Sequence, residues 1–304
     1  MKKKILILGG GISKERQISL ETAKQVKKAL KKKYRVLQSD LDINFENKLK
    51  YFKPEVVFNA LHGRFGEDGY AQTILENNKI KYTHSGILSS ALAMDKIASK
   101  KIFNKNNLLT PKFIKFNNNS EVNSKLKNKI RKKLKFPVVI KPINEGSSVG
   151  VYISTEKNLK KNLIKLRKYK EIIIEEFING REIQVAILGK KKLGAIELKP
   201  KRKFYDYKAK YDTKSKTEHI IPINLTKKSL NKVLNIALKA HKLLNCKGVT
   251  RSDFKFFKKK FYLLELNTQP GMTKLSLVPE IAAYKGMNFL ELLEWILKDA
   301  SINR

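Results

Sequence analysis

The segment Arg251–Asn267, RSDFKFFKKKFYLLELN, consists of two alternating runs joined by three lysines, and no other stretch constrains the fold as tightly. Side chains alternate at period two along a strand. A hairpin turning at Lys258, Lys259 and Lys260 therefore sets Asp253 opposite Glu265 and Arg251 opposite Asn267, all on one face. Opposed side chains stand about 5 Å apart, where two carboxylates repel unless a cation lies between them. An oxygen-only set of this kind suits Mg²⁺ holding phosphates. The other face would turn Phe254, Phe256, Tyr262, Leu264 and Leu266 into a core. A three-residue turn often brings a bulge that moves the register by one, although no glycine here favours one. The same residues also fit an exposed hairpin with scattered charges.

With 304 residues the chain can bury a large core and divides into two or three domains. Its one cysteine, Cys246, excludes an internal disulfide, fits a reducing compartment and reads as a small buried hydrophobe. The start, MKKKILILGGG, imitates a secretory signal. Its apolar run is short, however, and meets Lys14, Glu15 and Arg16 at once, so it reads as a first strand. No apolar stretch approaches the roughly 20 residues that span a bilayer. A soluble, cytoplasmic protein is expected.

The formal net charge of +39 would attract nucleic acid or anionic membranes. Lysine nevertheless outnumbers arginine greatly and is spread over the whole chain, alongside abundant Asn, Ile, Phe and Tyr. A genome poor in G and C writes that joint bias. The runs KNKIRKKLK and LKKNLIKLRKYK (159–170) carry Ile and Leu at helical spacing with lysine between, as amphipathic helices with wet lysine faces do.

Residues 4–8 (KILIL) predict a buried strand, followed by three glycines and a helix over 13–33. Further strands at 34–38 and 56–60 and a helix near 69–78 complete an α/β unit to about residue 93. A dinucleotide site is a weak reading of this unit, because GGGISK lacks the third glycine of the fingerprint and Asp40 is the only acidic candidate. A second block begins near Ser99, passes from helix to strand after Pro111, loops at 117–121 and continues as strands at 137–141 and 149–153. A third opens with the strand 171–178 and runs to helices near 227–244 and 288–298.

Four motifs carry chemistry. Glu145-Gly146-Ser147-Ser148-Val149-Gly150 lets backbone N–H groups approach an anion; because strands flank it and Lys141 precedes it, it is a flap rather than a Walker loop. An ordinary Gly-Ser turn is the alternative. EIIIEEFINGRE offers an apolar slot with acids beside it, as an adenosine site requires, or else a core strand with solvated acids. His62-Gly63-Arg64-Phe65-Gly66-Glu67-Asp68-Gly69 can hold a substrate close to backbone, with His62 structural or reactive. Phe204–Tyr211, FYDYKAKY, reads as a lid or a solvated loop.

Taken in order, GGGISKERQISL, ALHGRFGEDG, MDKIASK, VVIKPINEGSSVG, IEEFINGRE, FYDYKAKY, GVTRSDF and LELNTQPGMTKLSLVP resemble D-alanine:D-alanine ligases of the ATP-grasp superfamily, essentially end to end. The resemblance implies a Rossmann-like parallel-sheet α/β domain (1–95) followed by a two-part α+β ATP-grasp fold (96–178 and 179–304). ATP would lie between the last two, and two D-alanines where all three meet. Its implied metal is Mg²⁺, as two ions held by Asp253, Glu265 and Asn267, with Mn²⁺ as a substitute. Lys96, Lys141, Ser147, Ser148 and Val149 resemble the phosphate contacts. Glu175, Phe177, Ile178 and Glu182 resemble the adenine and ribose site, with Val139, Phe204 and Leu264 as apolar walls. Lys210 resembles the lid lysine on the γ-phosphate. Glu15 looks like the partner of the first substrate's ammonium, in a network with Ser147 and Tyr211. Arg251 and the Gly271 backbone resemble the oxyanion site, Ser276 the anchor of the second carboxylate, and His62 part of the substrate motif. A homodimer, with no specific nucleic acid or membrane partner, is also implied.

The implied chemistry runs through an acyl phosphate and supplies a peptidoglycan precursor. Thr73, Ser252 and Lys274 depart from the usual pattern without removing a ligand. Relatives join D-alanine to D-lactate or D-serine instead. Rival readings are another ATP-grasp acid and amine pair, a nicotinamide enzyme and a basic nucleic-acid-binding protein. In the family's matching lid position a phenylalanine often accompanies lactate use, so the resemblance implies that Tyr211, with its hydroxyl, favours D-alanine as acceptor. Tyr211→Phe is thus expected to raise depsipeptide over dipeptide with mixed D-alanine and D-lactate acceptors, and an unchanged product ratio refutes this.

Overall fold

The apolar run at the N-terminus folds as a strand covered on both faces. Ile5, Leu6, Ile7 and Leu8 in β1 (Lys4–Leu8) are wholly buried, as continuous apolar strands of parallel sheets are. The computed structural model describes residues 2–118, 120–200 and 217–304. β1 pairs in parallel with β2 (Arg35–Ser39) and β3 (Val56–Asn59), and β3 with β4 (Lys81–Tyr82), giving the order β2-β1-β3-β4. Helix α1 (Arg16–Leu30) buries Ser19, Thr22, Ala23, Val26 and Leu30 at helical spacing, and Lys27 and Lys28 complement the dipole of its last turn. It starts later than the 13–33 reading. The Ser13 hydroxyl donates to the His62 carbonyl at 2.6 Å and accepts from the Glu15 N–H, so it ties two loops together. Helices α2 (Phe45–Phe52) and α3 (Tyr70–Asn77) cover the opposite face.

Helices α4 (Ile87–Met94) and α5 (Lys96–Lys105) lead to a second sheet, ordered β5-β8-β6-β7, whose pairings are antiparallel. Its strands are β5 (Phe113–Asn117), β6 (Val138–Pro142), β7 (Tyr152–Ser154) and β8 (Glu171–Glu176). Val138, Ile140, Ile172 and Ile174 face α6 (Ser124–Lys133) and α7 (Leu159–Lys165) in one core. Both lysine-rich runs are amphipathic as read: Leu126 and Ile130 are buried while Lys125, Lys129, Lys132 and Lys133 are exposed.

The third sheet, β11-β10-β9-β12-β13, comprises β9 (Arg181–Leu188), β10 (Lys191–Lys199), β11 (Glu218–Ile220), β12 (Val249–Phe257) and β13 (Lys260–Asn267), all antiparallel. Ile183, Val185 and Ile187 pack under α8 (Lys227–Leu243). Ala186 and Leu188 pack on the other side with Ile5, Ile7 and Phe58 of the first sheet, with α9 (Leu277–Tyr284) and with α10 (Phe289–Asp299). The first and third units therefore share one core. The central sheet meets α5 through a small cluster of Ile97, Ile143 and Ile173.

The hairpin differs instructively from the expectation. Arg251 does face Asn267, and Asp253 does face Glu265. The turn, however, has two residues, Lys258 and Lys259, both at positive φ (46° and 60°), the geometry that matches strand twist. A bulge beyond Asp253 absorbs the change, so Phe254 pairs with Leu263 and Phe256 with Phe261. Phe261 and Leu263 thus enter the core, while Tyr262 and Leu264, expected there, are half-buried on the polar side.

Cys246 is buried as read, and burial pushes its thiol up to about 12. Two buried histidines tie stability to pH. Burial first, with Arg304 adding repulsion, lowers His84 to about 3; burial lowers His241, whose Nδ1 lies 2.8 Å from the Thr250 hydroxyl, to about 4. Both folded values lie below 6.5, so the unfolded chain protonates first as pH falls and stability is lost downward from there. The loss is about 2 kcal/mol per histidine between pH ~6.5 and ~5. Urea midpoints at the two pH values should fall accordingly, and less steeply in His241→Gln.

Candidate active site

On the polar face of the third sheet, strand register assembles a continuous stripe. Asp253 stands between Gln184 of β9 and Glu265 of β13, Lys255 opposite Glu182, and Arg251 opposite Asn267. Arg251 donates to both Asp253 oxygens, at 2.8 and 2.9 Å, and its Nε also reaches Gln184 Oε1 at 3.2 Å. Lys255 pairs with Glu182 at 2.9 Å. Along β9 the same face changes character within four residues: Glu182 and Gln184 line cavities, while Ala186 and Leu188 dock the first unit.

The central sheet presents a second charged face. Since Val138, Ile140, Ile172 and Ile174 point to their core, Val139, Lys141, Ile173 and Glu175 point away from it. The buried Glu175 carboxylate lies 2.8 Å from Lys141 and 3.0 Å from Lys100. Burial opposes its charge, but the two ammoniums outweigh burial and hold its carboxyl below the usual range. Burial likewise works against Lys141, and the surrounding carboxylates, Glu175 first and then Glu265, together outweigh it and raise its pKa. Lys100 is lowered to about 8, mainly by burial. Lys96 opens α5, where the Asp95 carboxylate caps Ile97 N–H and Ala98 N–H. Its amine donates to the Glu145 carbonyl at 2.6 Å and lies 3.6 Å from Glu265; burial lowers its pKa.

The flap between β6 and β7 turns through Ser147 and Ser148 at positive φ (45° and 60°), a strained conformation for serine of the kind that gathers at ligand sites. Ser147 hydrogen-bonds Glu15 of the first unit. A Cβ on Gly146 would stand 2.9 Å from Glu15 Oε2, so glycine permits that approach. His62 lies 3.1 Å from the Thr22 hydroxyl and 3.5 Å from Glu67. A Cβ on Gly271 would come 3.0 Å from Ser276 Oγ and 3.9 Å from His62 Cε1, so these three converge.

Two cavities result. Val139, Lys141, Ser148, Val149, Glu175, Phe177, Ile178, Glu182, Asp253 and Leu264 line the first; Glu15, His62, Ser147, Arg251, Asn267, Gly271 and Ser276 line the second. Lys96, Glu145 and Glu265 belong to both. Leu264 reaches the first through the bulge that removes it from the core. A family model described as D-ala D-ala ligase C-terminus matches residues 102–298. The D-alanine--D-alanine ligase of Pelagibacter ubique (strain HTCC1062) is 65% identical over 305 residues, 100% of each chain.

The chain belongs to the D-alanine--D-alanine ligase family.

The D-alanine--D-alanine ligase of Wolbachia pipientis wMel is 46% identical over 302 residues, covering 97% of this chain and 94% of its own. Among solved structures, the Bacillus anthracis D-alanine--D-alanine ligase complexed with ATP superposes with a TM-score of 0.85 at 30% identity, covering 98% of this chain and 97% of that one. The mixed architecture of one parallel and two antiparallel sheets agrees with the ATP-grasp structures of D-alanine--D-alanine ligases.

Phe204, Lys210 and Tyr211 lie outside the described residues. All other expected site residues line one cavity or both. Asp253, Glu265 and Asn267 supply oxygen donors only. Among the described residues no cluster of three or more His, Cys, Asp or Glu forms a complete cage. That partial set fits Mg²⁺, which keeps waters and takes substrate phosphate. Asp40, the candidate for a dinucleotide ribose, instead accepts from Gly11 N–H at 2.7 Å and pairs with Arg16 at 2.5 Å, clamping the glycine turn. The Thr73 hydroxyl donates within α3 to the Gly69 carbonyl, Ser252 is fully buried, and Lys274 lines the second cavity. Sequence reading missed Lys100 and Gln184. Lys100 is one helical turn after Lys96, and Gln184 two strand positions after Glu182, so both shared a face with a named residue.

Proposed function

We propose that this chain is an ATP-dependent ligase that joins two D-alanines into D-alanyl-D-alanine through an acyl phosphate, supplying a peptidoglycan precursor in the cytoplasm. The observation that carries the reading is the meeting of two cavities at Lys96, Glu145 and Glu265. One has the apolar walls and acids that suit a nucleoside, the other the paired charges that suit an amino acid, and the Lys96 ammonium stands at their junction beside Glu265. Units 1–95, 96–178 and 179–304 divide the work. A homodimer rests on the family resemblance alone, and the cytoplasm suits a protein whose one cysteine is a buried thiol.

In this reading Val139, Phe177, Ile178 and Leu264 hold the adenine, Glu175 and Glu182 its polar edge and ribose, and Lys96, Lys141 and the flap residues Ser147, Ser148 and Val149 the phosphates. Asp253, Glu265 and Asn267 hold Mg²⁺, which supplies charge neutralisation of the phosphates. Glu15 takes the ammonium of the first D-alanine and directs its carboxylate toward the γ-phosphate. A carboxylate oxygen forms the new P–O bond and ADP leaves, a step that positioning and electrostatics carry. Ser276 holds the carboxylate of the second D-alanine. Its amine attacks the acyl carbon, the C–N bond forms, and phosphate leaves with the C–O electron pair while the amine loses a proton.

Arg251 and the Gly271 N–H stabilise the oxyanion of that second step. The Asp253 carboxylate and Gln184 fix the guanidinium plane beforehand, so no reorganisation is needed when charge develops. Lys210 and Tyr211 belong to the segment assigned to cover the acyl phosphate from water.

Phosphate release from ATP and Mg²⁺ with D-alanine, L-alanine or D-lactate supplied in turn tests the reading. D-alanine should drive release, and release that ignores the amino acid's configuration refutes it. Gly146→Ala should displace Glu15 and raise KM for D-alanine on the order of tenfold, with ATP affinity held within about twofold. Steady-state kinetics beside nucleotide titration separates the two.

A further inference from the structure

Lys100 has no part in the function proposed above, yet its side chain is only 1% exposed and lines neither cavity. An ammonium in that position is costly, and a methionine would fill the same space. Its neighbourhood explains why a charge is kept. Glu175 lies between two amines: Oε1 is 3.0 Å from Lys100 and Oε2 is 2.8 Å from Lys141. Of these three, Lys141 and Glu175 line the first cavity and Lys100 stands behind them. The arrangement is ordered from the cavity inward as lining partner, shared anion and hidden cation.

This ordering matters when a polyanion arrives. A phosphate draws Lys141 away from Glu175, and with no second cation the buried carboxylate would either pull Lys141 back or take up a proton. Either outcome weakens the phosphate contact. We propose that Lys100 is a positioning residue: it keeps Glu175 in place and charged, so that Lys141 can be shared with the nucleotide phosphates. The inference rests on the ATP-dependent reading of the first cavity. α5 supports it, since Lys96 and Lys100 project from one helix face a turn apart, and Lys96 reaches the same junction through the Glu145 carbonyl. One helix thus sets two of the three buried amines.

The test compares Lys100→Met, Lys100→Arg and the double variant Lys100→Met with Glu175→Gln, using calorimetric ATP binding and steady-state kinetics on the full chain. Lys100→Met should weaken ATP binding by about tenfold or more, the scale of a charge-assisted contact, with KM for D-alanine unmoved. Lys100→Arg should retain most of the affinity. The double variant removes the stranded anion, so it should bind ATP more tightly than Lys100→Met alone, and Lys100→Arg, measured against the wild type, keeps the test open should Lys100→Met not fold. Unchanged ATP affinity in Lys100→Met overturns the proposal. So does a parallel rise of both KM values that Glu175→Gln does not relieve, because that marks a purely structural lysine. If the wild-type chain binds ATP but does not turn over D-alanine, the substrate reading fails while the nucleotide arm still decides the role of Lys100.

Discussion

Two carboxylates fixed across a hairpin repel one another, and the centre of this molecule is organised around answering that repulsion. Asp253 and Glu265 are opposed by strand register, so neither can move away without unpairing β12 from β13. Each has its own cation: Arg251 grips both oxygens of Asp253, and Lys96 approaches Glu265 from another unit. The hairpin therefore joins the charged faces of the central and third sheets, and the two cavities meet where it does so. A one-residue slip would turn all of these side chains over together. The bulge beyond Asp253 leaves the carboxylate pair in register and changes only what lies toward the turn.

The same local pairing separates the buried charges from the surplus on the surface. The chain carries 66 lysines and arginines against 27 acids, yet that balance says little about the site. Exposed lysines of α6 act through solvent with a screening length of about 8 Å. Inside, charge is arranged by contact: Glu175 binds two lysines, Glu182 one, and Asp253 an arginine. Removing one member of such a set leaves a dry, uncompensated charge. Buried lysines here are informative because each has a stated anion or carbonyl, whereas the net charge of the chain reflects its wet faces.

Residues that share a strand or a helix turn were legible from periodicity alone. The first strand at 4–8 and the wet lysine helices follow from local spacing, whereas Asp253 meets Glu265 only because a bulge offsets a turn one residue shorter than expected. Tyr262 and Leu264 were misplaced because turn length decides the parity of a hairpin near its turn, and Lys258-Lys259 at positive φ carries no glycine to announce itself. Lys100 escaped notice because its partner Glu175 lies on a distant strand, and a lysine on a helix reads as solvated until something buries it. Glu15 and Ser147 were both named, but their hydrogen bond crosses between units and no periodicity encodes it. The weak dinucleotide reading of the first unit gains nothing from Asp40: an acid after a glycine turn fits a ribose partner, and here the turn itself consumes it.

The distribution of the cores adds a mechanical constraint to these charges. The first and third units are fused by a single apolar core running from Ile5 and Phe58 to Leu188, Ile281 and Leu293, so Glu15, His62, Arg251 and Ser276 are set by elements that share it. The central sheet, which supplies Lys141, Glu175 and the flap, meets α5 in the small cluster of Ile97, Ile143 and Ile173. Burial scales with apolar area, so the joint of α5 to the central sheet is smaller than its joint to the third. Polar contacts must then set the central sheet's position, and α5 carries them: Ile97 lies in that cluster, Phe103 in the core beneath the third sheet, and Lys96 and Lys100 reach Glu145 and Glu175 from the same helix. A helix packed in the core beneath the third sheet thereby holds the central sheet by its charges, and Lys96 and Lys100 are placed from that core.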